Sequence, residues 1–330
     1  MVLNDFEWLN YLAPHISVGR DLPVGTVLHR QSYLLSRERR VSCPRDAFDP
    51  SRGVSATITR EFTRAWFGLS PWSNSEFPPG TVYKTNLPGV GASIQRRAPV
   101  GVETVAVRGD DPAYWTVVQP AGTELFTLTL IKIGDIAAGT LESSKLPGMD
   151  VRFKMTDGVN PAKEAPFYHP LMNGNLTVVA KTCRTPDVNV PMGEQRIDQI
   201  TTAGKPVDFS LRLLDCPAFH GYYPGVSHAA NQLSLRIDPI RDVIDPAMGI
   251  LGITPAAAGA PSAAVGVGLQ IMHPDGRPFV LASKMPSGLR LSGPDGASYA
   301  IPLKARYLKT GPKVSPGVAN SVATFTIIYE

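Results

Sequence analysis

The residue types that most often bind metals or act as nucleophiles are few in this sequence and widely spaced. The chain of 330 residues has six histidines and three cysteines. No histidine lies four residues from another or beside a cysteine pair, so the spacing typical of a zinc site is absent. The histidines are His15, His29, His169, His220, His228 and His273. The sequence therefore predicts neither a metal site nor a bound cofactor.

No catalytic motif can be read from the sequence either. A Gly-x-Ser-x-Gly nucleophile elbow and a phosphate-binding Walker loop are both missing. The glycines of Gly266-Val-Gly-Leu-Gln lie inside an alternating strand pattern, not between a strand and a helix as a dinucleotide loop requires. We therefore expect no enzymatic activity. A secreted hydrolase is disfavoured because no nucleophile and base can be paired.

The composition indicates an all-β protein of two β-sandwich domains. Hydrophobic residues make up 43% of the chain and charged residues only 18%, which is typical of core-forming material. The 31 prolines and 30 glycines separate short apolar alternations, and this pattern favours strands and turns over helices. The net charge of +4 is too small to indicate a nucleic-acid partner. A transmembrane helix is not expected, since no run of about 18 apolar residues occurs.

Two strands predicted from the sequence would position any binding loops. Residues 124–133 are the longest apolar alternation of the first half and indicate a core strand. Residues 323–330 also alternate, with Phe325, Ile327 and Tyr329 on one face. An apolar strand with a free edge has unpaired backbone groups that can pair with a strand of another chain. We therefore expect a partner from outside the chain to pair with this last strand.

A domain boundary is expected where the composition changes. Residues 157–175 are rich in Pro, Asn and Gly, so we place a linker at 165–175. This prediction divides the chain into domains 1–170 and 171–330.

The second half contains short segments whose order resembles one family. They are Cys183, Val188-Asn-Val-Pro-Met-Gly193, Gly204, Cys216 after an alternating strand, Gly266-Val-Gly-Leu-Gln270, Ala305-Arg-Tyr307, Pro316-Gly-Val-Ala-Asn320 and the final aromatic strand. Together they resemble the pilin domain of chaperone-usher fimbriae, over about residues 173–330. The resemblance implies an incomplete immunoglobulin-like sandwich. A periplasmic chaperone and then an adjacent pilin subunit donate its missing strand.

The same resemblance carries further expectations. It implies a disulfide between Cys183 and Cys216, and a donor-strand groove beside Phe325, Ile327 and Tyr329. It also implies export through the periplasm, assembly at an outer-membrane usher and a final place in a fimbrium at the bacterial cell surface.

The first half resembles the receptor-binding domain of two-domain fimbrial tip adhesins. The resemblance rests on Pro23-Val-Gly-Thr-Val-Leu28 and Tyr83-Lys-Thr-Asn-Leu-Pro-Gly-Val-Gly91, and it implies a lectin-like sandwich with a disulfide at Cys43. No cysteine precedes Cys43 and no signal peptide is visible, so we expect both the partner cysteine and the leader to lie upstream of Met1. The alternative is a buried free thiol.

Carried over by position, the sugar-binding loops are those after Cys43 and after residues 124–133. Carboxylates suit sugars because adjacent hydroxyls can donate to both oxygens, while an aromatic side chain covers the apolar face of the ring. The candidates are Arg45, Asp46 and Asp49 in the first loop, Lys132 and Asp135 in the second, and Phe48 or Trp72 as the aromatic. A solvated loop charge is the alternative for each charged residue. A hydrophobic lid on its own sandwich is the alternative for Trp72.

These observations predict a fimbrial tip adhesin that binds a host or surface glycan and joins the pilus by donor-strand complementation. The alternative is a structural minor fimbrial subunit that binds no glycan.

Overall fold

A computed structural model gives the fold of residues 5–10, 14–34, 37–62, 67–96, 101–122, 125–146, 148–200, 202–256, 259, 261–291 and 294–330. The chain divides into two compact units. Unit 1 comprises Met1–Val18, Pro23–Ala180 and Gly221–Ala229, and unit 2 comprises Gly19–Leu22, Lys181–His220 and Ala230–Glu330.

Both units are built from β-strands, as the sequence predicts. Helical structure in the described ranges is limited to three 3₁₀ turns: Arg45–Ala47, Ser143–Lys145 and Ile197–Gln199. None of the helices found in those ranges is long and apolar enough to cross a membrane.

The strands of unit 1 are mostly short. They are β1 (Asp5–Asn10), β2 (His15–Ser17), β3 (Val27–Leu34), β4 (Arg39–Pro44), β5 (Ser55–Phe62), β6 (Tyr83–Lys84), β7 (Val90–Arg96), β8 (Gly101–Val105), β9 (Tyr114–Gln119), β10 (Leu125–Lys132), β11 (Gly139–Glu142), β12 (Met149–Thr156), β13 (Lys163–Asn173) and β14 (Asn175–Val179). They pair in the orders β1-β13-β12-β5-β8, β3-β10-β7-β6, β11-β14-β2 and β4-β9.

The core of unit 1 follows from strict alternation along its strands. In β12, Met149, Val151, Phe153 and Met155 are buried while the residues between them are more exposed. These four side chains share a core with residues of β4, β5, β9, β10 and β13. The sheets that contain these strands are therefore packed around common apolar residues.

The predicted core strand 124–133 corresponds to β10, Leu125–Lys132. It lies between β3 and β7, and pairs with both in antiparallel register. Residues Leu128 to Lys132 are all buried, so this strand is covered on both faces. Sequence alternation alone would have left one face exposed.

The predicted linker at 165–175 instead lies in β13 and β14. Pro166 and Pro170 of this stretch lie within β13, and only Gly174 lies at a strand end. Asp157 accepts bonds from the backbone of Val159 and Asn160 in the turn before β13, and Gly174, at φ +83, makes the turn after it. The compact units divide after Ala180.

The described residues of unit 2 form eight strands. They are β15 (Val207–Cys216), β16 (Leu233–Pro239), β17 (Val243–Asp245), β18 (Ile250–Leu251), β19 (Val267–Met272), β20 (Met285–Pro286), β21 (Ala297–Lys309) and β22 (Ala323–Tyr329). A five-stranded sheet has the order β15-β21-β19-β18-β17, and a three-stranded sheet has the order β20-β16-β22.

The two sheets of unit 2 enclose one apolar core and form a β-sandwich. Leu213 and Leu303 come from the larger sheet, and Leu235 and Tyr329 come from the smaller one. Cys183 and Cys216 belong to the same core and are joined by a disulfide, with their Cα atoms 4.1 Å apart. The disulfide predicted from the sequence is therefore confirmed.

Candidate functional site

Strand β22 lies at the edge of its sheet and pairs with β16 alone among the described strands. Gln232 and Glu330 exchange both backbone hydrogen bonds, at 2.6 and 2.9 Å. Backbone N–H and C=O groups of an antiparallel strand alternate in direction from residue to residue. The groups of Tyr329, Ile327 and Phe325 therefore face away from β16, toward the free edge.

The apolar side chains along this edge pack against the core of unit 2 and are partly exposed at the surface. Phe325 and Ile327 are half-buried and pack against the core of unit 2, whereas Thr324 and Thr326 are exposed. An edge strand with unpaired backbone groups and an apolar face is a template for another strand. The predicted groove residues Phe325, Ile327 and Tyr329 all lie on this inner face.

Residues 185–196 form a second segment without strand pairing. The structure describes all of them, and none belongs to a strand. Their burial nevertheless alternates: Val188, Val190 and Met192 are half-buried, and Asn189 and Pro191 are exposed. Val188 packs against the same core as Phe325 and Ile327. This segment thus has the alternating side-chain burial of a strand but is not paired with a neighbouring strand.

Tyr329 connects the edge strand to the start of that segment. Its phenol oxygen accepts a hydrogen bond from the backbone N–H of Cys183, and its ring stacks on Phe219 with centroids 6.4 Å apart. Burial raises the pKa of Tyr329, so the phenol stays neutral and able to hold this contact. The segment that follows Cys183 therefore begins close in space to the Tyr329 end of β22.

In unit 1, the predicted binding loop after Cys43 forms a 3₁₀ turn. Arg45 in this turn donates from Nε to Asp111 O at 2.9 Å and from Nη2 to Gly109 O. Its guanidinium also lies 4.0 Å from the ring centroid of Trp115, a cation–π contact. Arg45 is thus fixed against the loop that precedes β9. Asp46 beside it is exposed.

Asp49 shapes its own loop. Its Oδ1 accepts from the backbone N–H and the hydroxyl of Ser51, at 2.9 and 2.6 Å, and these bonds lower the pKa of Asp49. Its backbone N–H donates to Asp157 Oδ2 at 2.7 Å. Sequence reasoning placed Asp157 in the stretch before the linker and gave it no role. Only the fold brings it to Asp49.

Asp157 is the anchor of this loop. Besides Asp49 N–H, it accepts from the backbone N–H groups of Val159 and Asn160 and from Asn160 Nδ2. These hydrogen bonds, that from Asp49 first, hold the pKa of Asp157 well below its usual range. The carboxylate is therefore ionised at all physiological pH values and orders the loop next to Asp46.

The two aromatic candidates both pack against apolar residues of unit 1. Phe48 is 4% exposed and belongs to the core of unit 1, so its ring faces are covered by other side chains. Trp72 packs near Phe77, with centroids 6.3 Å apart, over the cluster around Ile131. Trp72 is thus the hydrophobic lid that the sequence left open as an alternative, and the use of Phe48 as a sugar platform is corrected.

Tyr114 is an exposed aromatic residue that sequence reasoning missed. It is 42% exposed at the start of β9 and pairs with Pro44, immediately before the turn that carries Asp46. The sequence shows Tyr114 only as a strand residue. Its proximity to the loop after Cys43 depends on the pairing of β4 with β9, a contact distant in sequence.

The second predicted loop has different neighbours. Lys132 is 3% exposed, and its backbone pairs with Gly25 and Thr26, so it is a buried strand residue and not a loop charge. Asp135 is exposed, and its carbonyl lies against Gly89. The first loop contacts residues 109–113 and 157, whereas the second contacts residues 25–26 and 89. The structure therefore does not join the two predicted loops into one site.

Cys43 lies within the core of unit 1, opposite Trp115 on the neighbouring strand, and is a free cysteine. Burial raises the pKa of its thiol. In the described part of the chain, no three His, Cys, Asp or Glu side chains converge in a way that could hold a metal ion.

A family model described as fimbrial protein matches residues 172–330, just under half of the chain. We refer to residues 172–330 as the fimbrial domain. The resemblance seen in the sequence is thereby confirmed for this half. No curated protein matches the chain.

The fimbrial domain begins within β13, whereas the second segment of unit 2 begins only at Lys181. Strand β14 thus belongs to the matched residues but packs in unit 1, where it pairs with β11 and β2. The open edge of β22, the disulfide and the unpaired segment 185–196 all lie inside the fimbrial domain and inside unit 2.

The chain is also similar to solved structures of fimbrial adhesins. The CupB6 tip adhesin from Pseudomonas aeruginosa is 16% identical, with 94% of this chain and 89% of that chain covered and a TM-score of 0.37. The CsuC-CsuE chaperone-tip adhesion subunit complex of Acinetobacter baumannii is 11% identical, with 99% of each chain covered and a TM-score of 0.25. CfaE, the adhesive subunit of CFA/I fimbria of enterotoxigenic Escherichia coli, is 8% identical, with 99% of this chain and 92% of that chain covered and a TM-score of 0.23.

Proposed function

We propose that the chain is a fimbrial tip adhesin. Its fimbrial domain takes an extended strand from a periplasmic chaperone and, at the outer-membrane usher, exchanges it for a strand of the adjacent pilin subunit. Unit 1 binds a glycan at the cell or surface that the fibre meets. The observation that carries the proposal is the free edge of β22, where the backbone groups of Phe325 and Ile327 face away from β16 and their side chains are half-buried.

Strand addition is the binding mode that this edge supports. Backbone N–H and C=O groups of Phe325 and Ile327 provide the hydrogen bonds, and the apolar face beneath them accepts side chains. Side chains of an extended segment point to one face at every second residue. The partner is therefore an extended peptide with apolar residues at alternate positions.

An end position in the fibre is favoured by what precedes the fimbrial domain. A subunit in the middle of such a fibre needs an extended segment that it can donate. Here the residues before the fimbrial domain, except Gly19–Leu22, belong to unit 1, which has its own strands and core. The fimbrial domain can accept a strand, but the residues immediately before it are committed to unit 1.

Glycan binding is assigned to the loop at Asp46, with Asp135 as a second candidate. Asp46 is exposed beside the fixed Arg45, and exposed Tyr114 follows on the neighbouring strand. A carboxylate can accept from two sugar hydroxyls, and an aromatic face can cover the apolar side of the ring. Lys132 and Phe48 are excluded from this proposal because both are buried.

The strand-acceptor role is tested with a synthetic extended peptide that carries Val and Ile at alternate positions. Added at a hundredfold excess over its Kd, it should stabilise the full chain against denaturant by about 2.7 kcal/mol. Ile327→Asp should abolish this shift, and Thr326→Asp, on the exposed face of β22, should preserve it. Equal shifts in both variants, or none in the unaltered protein, would place strand capture elsewhere.

The glycan role is tested by a glycan array, followed by calorimetry, on the full chain. Each hydrogen bond to a charged group is worth about 1.5 to 3 kcal/mol, so Asp46→Ala should weaken binding at least about tenfold. Tyr114→Ala should also weaken it. Asp295→Ala, an exposed carboxylate of unit 2, should not. An effect of Asp135→Ala alone would move the site to the second loop, and failure to bind any glycan would favour a structural minor fimbrial subunit.

A further inference from the structure

Residues 19–22 pack in unit 2, although in sequence they lie between β2 and β3 of unit 1. Asp21 makes two hydrogen bonds to the backbone of Tyr329. Its N–H donates to Tyr329 O at 3.1 Å, and its Oδ2 accepts from Tyr329 N–H at 3.0 Å. Both backbone groups of Tyr329 are therefore bonded to a single residue.

These two groups lie on the free edge of β22. The Gln232 and Glu330 pair faces β16, so the backbone of Tyr329 points the other way, along with those of Ile327 and Phe325. Asp21 thus occupies the place that a paired strand would take at this residue. Its carboxylate acts as the acceptor that a strand would supply with a carbonyl.

The approach of this segment leaves no room for a further strand. A Cβ atom added at Gly19 would lie 2.2 Å from Tyr329 O, so the backbone of Gly19 runs directly against the strand. Leu22 is buried and anchors the other end of the segment. At Tyr329 the edge is filled by main chain, whereas at Phe325 and Ile327 no described strand covers it.

We propose that Gly19–Leu22 is a fixed stop at one end of the donor-strand groove. This inference rests on the proposed strand-acceptor function and specifies which residues of β22 the donor can pair with. The donor strand pairs along Ala323–Ile327 and ends at the stop, so about 17 Å of edge is available at 3.3 Å per residue. A longer donor gains no further backbone bonds to β22.

The test is site-resolved amide exchange on the full chain, with the alternating Val/Ile peptide as the probe. Addition of the peptide should protect the amides of Phe325 and Ile327, and the amide of Asp21 should stay as protected as before. In Asp21→Ala, exchange at Tyr329 should be at least about tenfold faster without peptide, because its acceptor is lost. Asp21→Asn retains an acceptor oxygen and serves as the control.

The outcomes distinguish the stop formed by Gly19–Leu22 from the strand-acceptor role of β22. Protection at Phe325 and Ile327 together with loss of protection at Asp21 means that the donor displaces the segment, which overturns the stop but not the strand-acceptor role. Unchanged exchange at Tyr329 in Asp21→Ala also overturns the stop. No protection at Phe325 or Ile327 overturns the strand-acceptor role, and the stop with it.

Discussion

The phenol oxygen of Tyr329 accepts a hydrogen bond from the backbone N–H of Cys183 at 3.1 Å. Cys183 is bonded in turn to Cys216, so the end of the edge strand and the disulfide share one anchor. Because Cys183 and Tyr329 are both buried, this hydrogen bond has little competition from water. The edge for which strand acceptance is proposed is thus fixed at its Tyr329 end.

Tyr329→Phe should destabilise the fimbrial domain. The substitution keeps the ring but leaves the buried N–H of Cys183 without its acceptor, a loss of about 1 to 3 kcal/mol. Urea unfolding measures the loss, and amide exchange at Cys183 locates it. Tyr114→Phe removes an exposed hydroxyl and should change the unfolding free energy by less than about 0.5 kcal/mol. Equal stabilities for the two variants would contradict the role of the phenol.

Reduction of the Cys183–Cys216 disulfide should lower the stability of the fimbrial domain. The two cysteines are separated by 33 residues, and the chain-entropy model gives about 3 to 4 kcal/mol for such a loop. Denaturant unfolding with and without a reductant measures the difference. The double variant Cys183→Ser, Cys216→Ser should be insensitive to the reductant. A reductant effect that persists in it would have to come from Cys43.

Gly19→Ala should disturb the end of β22 although the substitution lies far from it in sequence. The added Cβ would meet Tyr329 O at 2.2 Å, so the segment must move away and weaken the bonds of Asp21. We expect a loss of about 1 to 3 kcal/mol, as for other overpacking changes, together with faster amide exchange at Tyr329. Gly53→Ala is the matched control, because no atom lies within 4 Å of its added Cβ. Unaltered exchange at Tyr329 would show that the segment can adjust without releasing the strand.

The contribution of Asp157 to stability should depend on pH in one direction. Its pKa is lowered in the folded state by bonds from Asp49, Val159 and Asn160. A lowered pKa stabilises the fold above the unfolded value, about 3.9, and this contribution is lost as the pH falls toward the folded value. The stability difference between the unaltered protein and Asp157→Ala should be constant from pH 7 to about pH 5, then shrink below about pH 4. Asp295→Ala, an exposed charge, should show no such trend.

The sequence predicted what depends on local pattern and on ordered segments. Alternation located β10 and β22, and the resemblance of the second half supplied the disulfide. The linker was misplaced because Pro166 and Pro170 lie within strand β13, where tertiary pairing overrides their turn preference. At Gly174 the turn joins two strands of the same unit.

The structure of the candidate binding loops was harder to predict because it depends on contacts that are distant in sequence. Asp157 orders the loop of Asp49 across 108 residues, and Asp21 bonds to Tyr329 across 308 residues. Neither pairing leaves a periodic signal in the chain. Phe48 was a candidate sugar-covering aromatic in the loop after Cys43, yet its side chain belongs to the core of unit 1.

The buried thiol of Cys43 can report how often the core of unit 1 opens. The other two cysteines are joined in the disulfide, so without a reductant Cys43 is the one thiol of the sequence that an alkylating reagent can modify. Burial and a raised pKa both suppress its reaction while the core is closed. The rate of alkylation in native buffer therefore reports the opening of the unit 1 core around Cys43. It does not report the opening of the unit 2 core. A force that opens unit 1 would therefore leave a permanent chemical modification at Cys43.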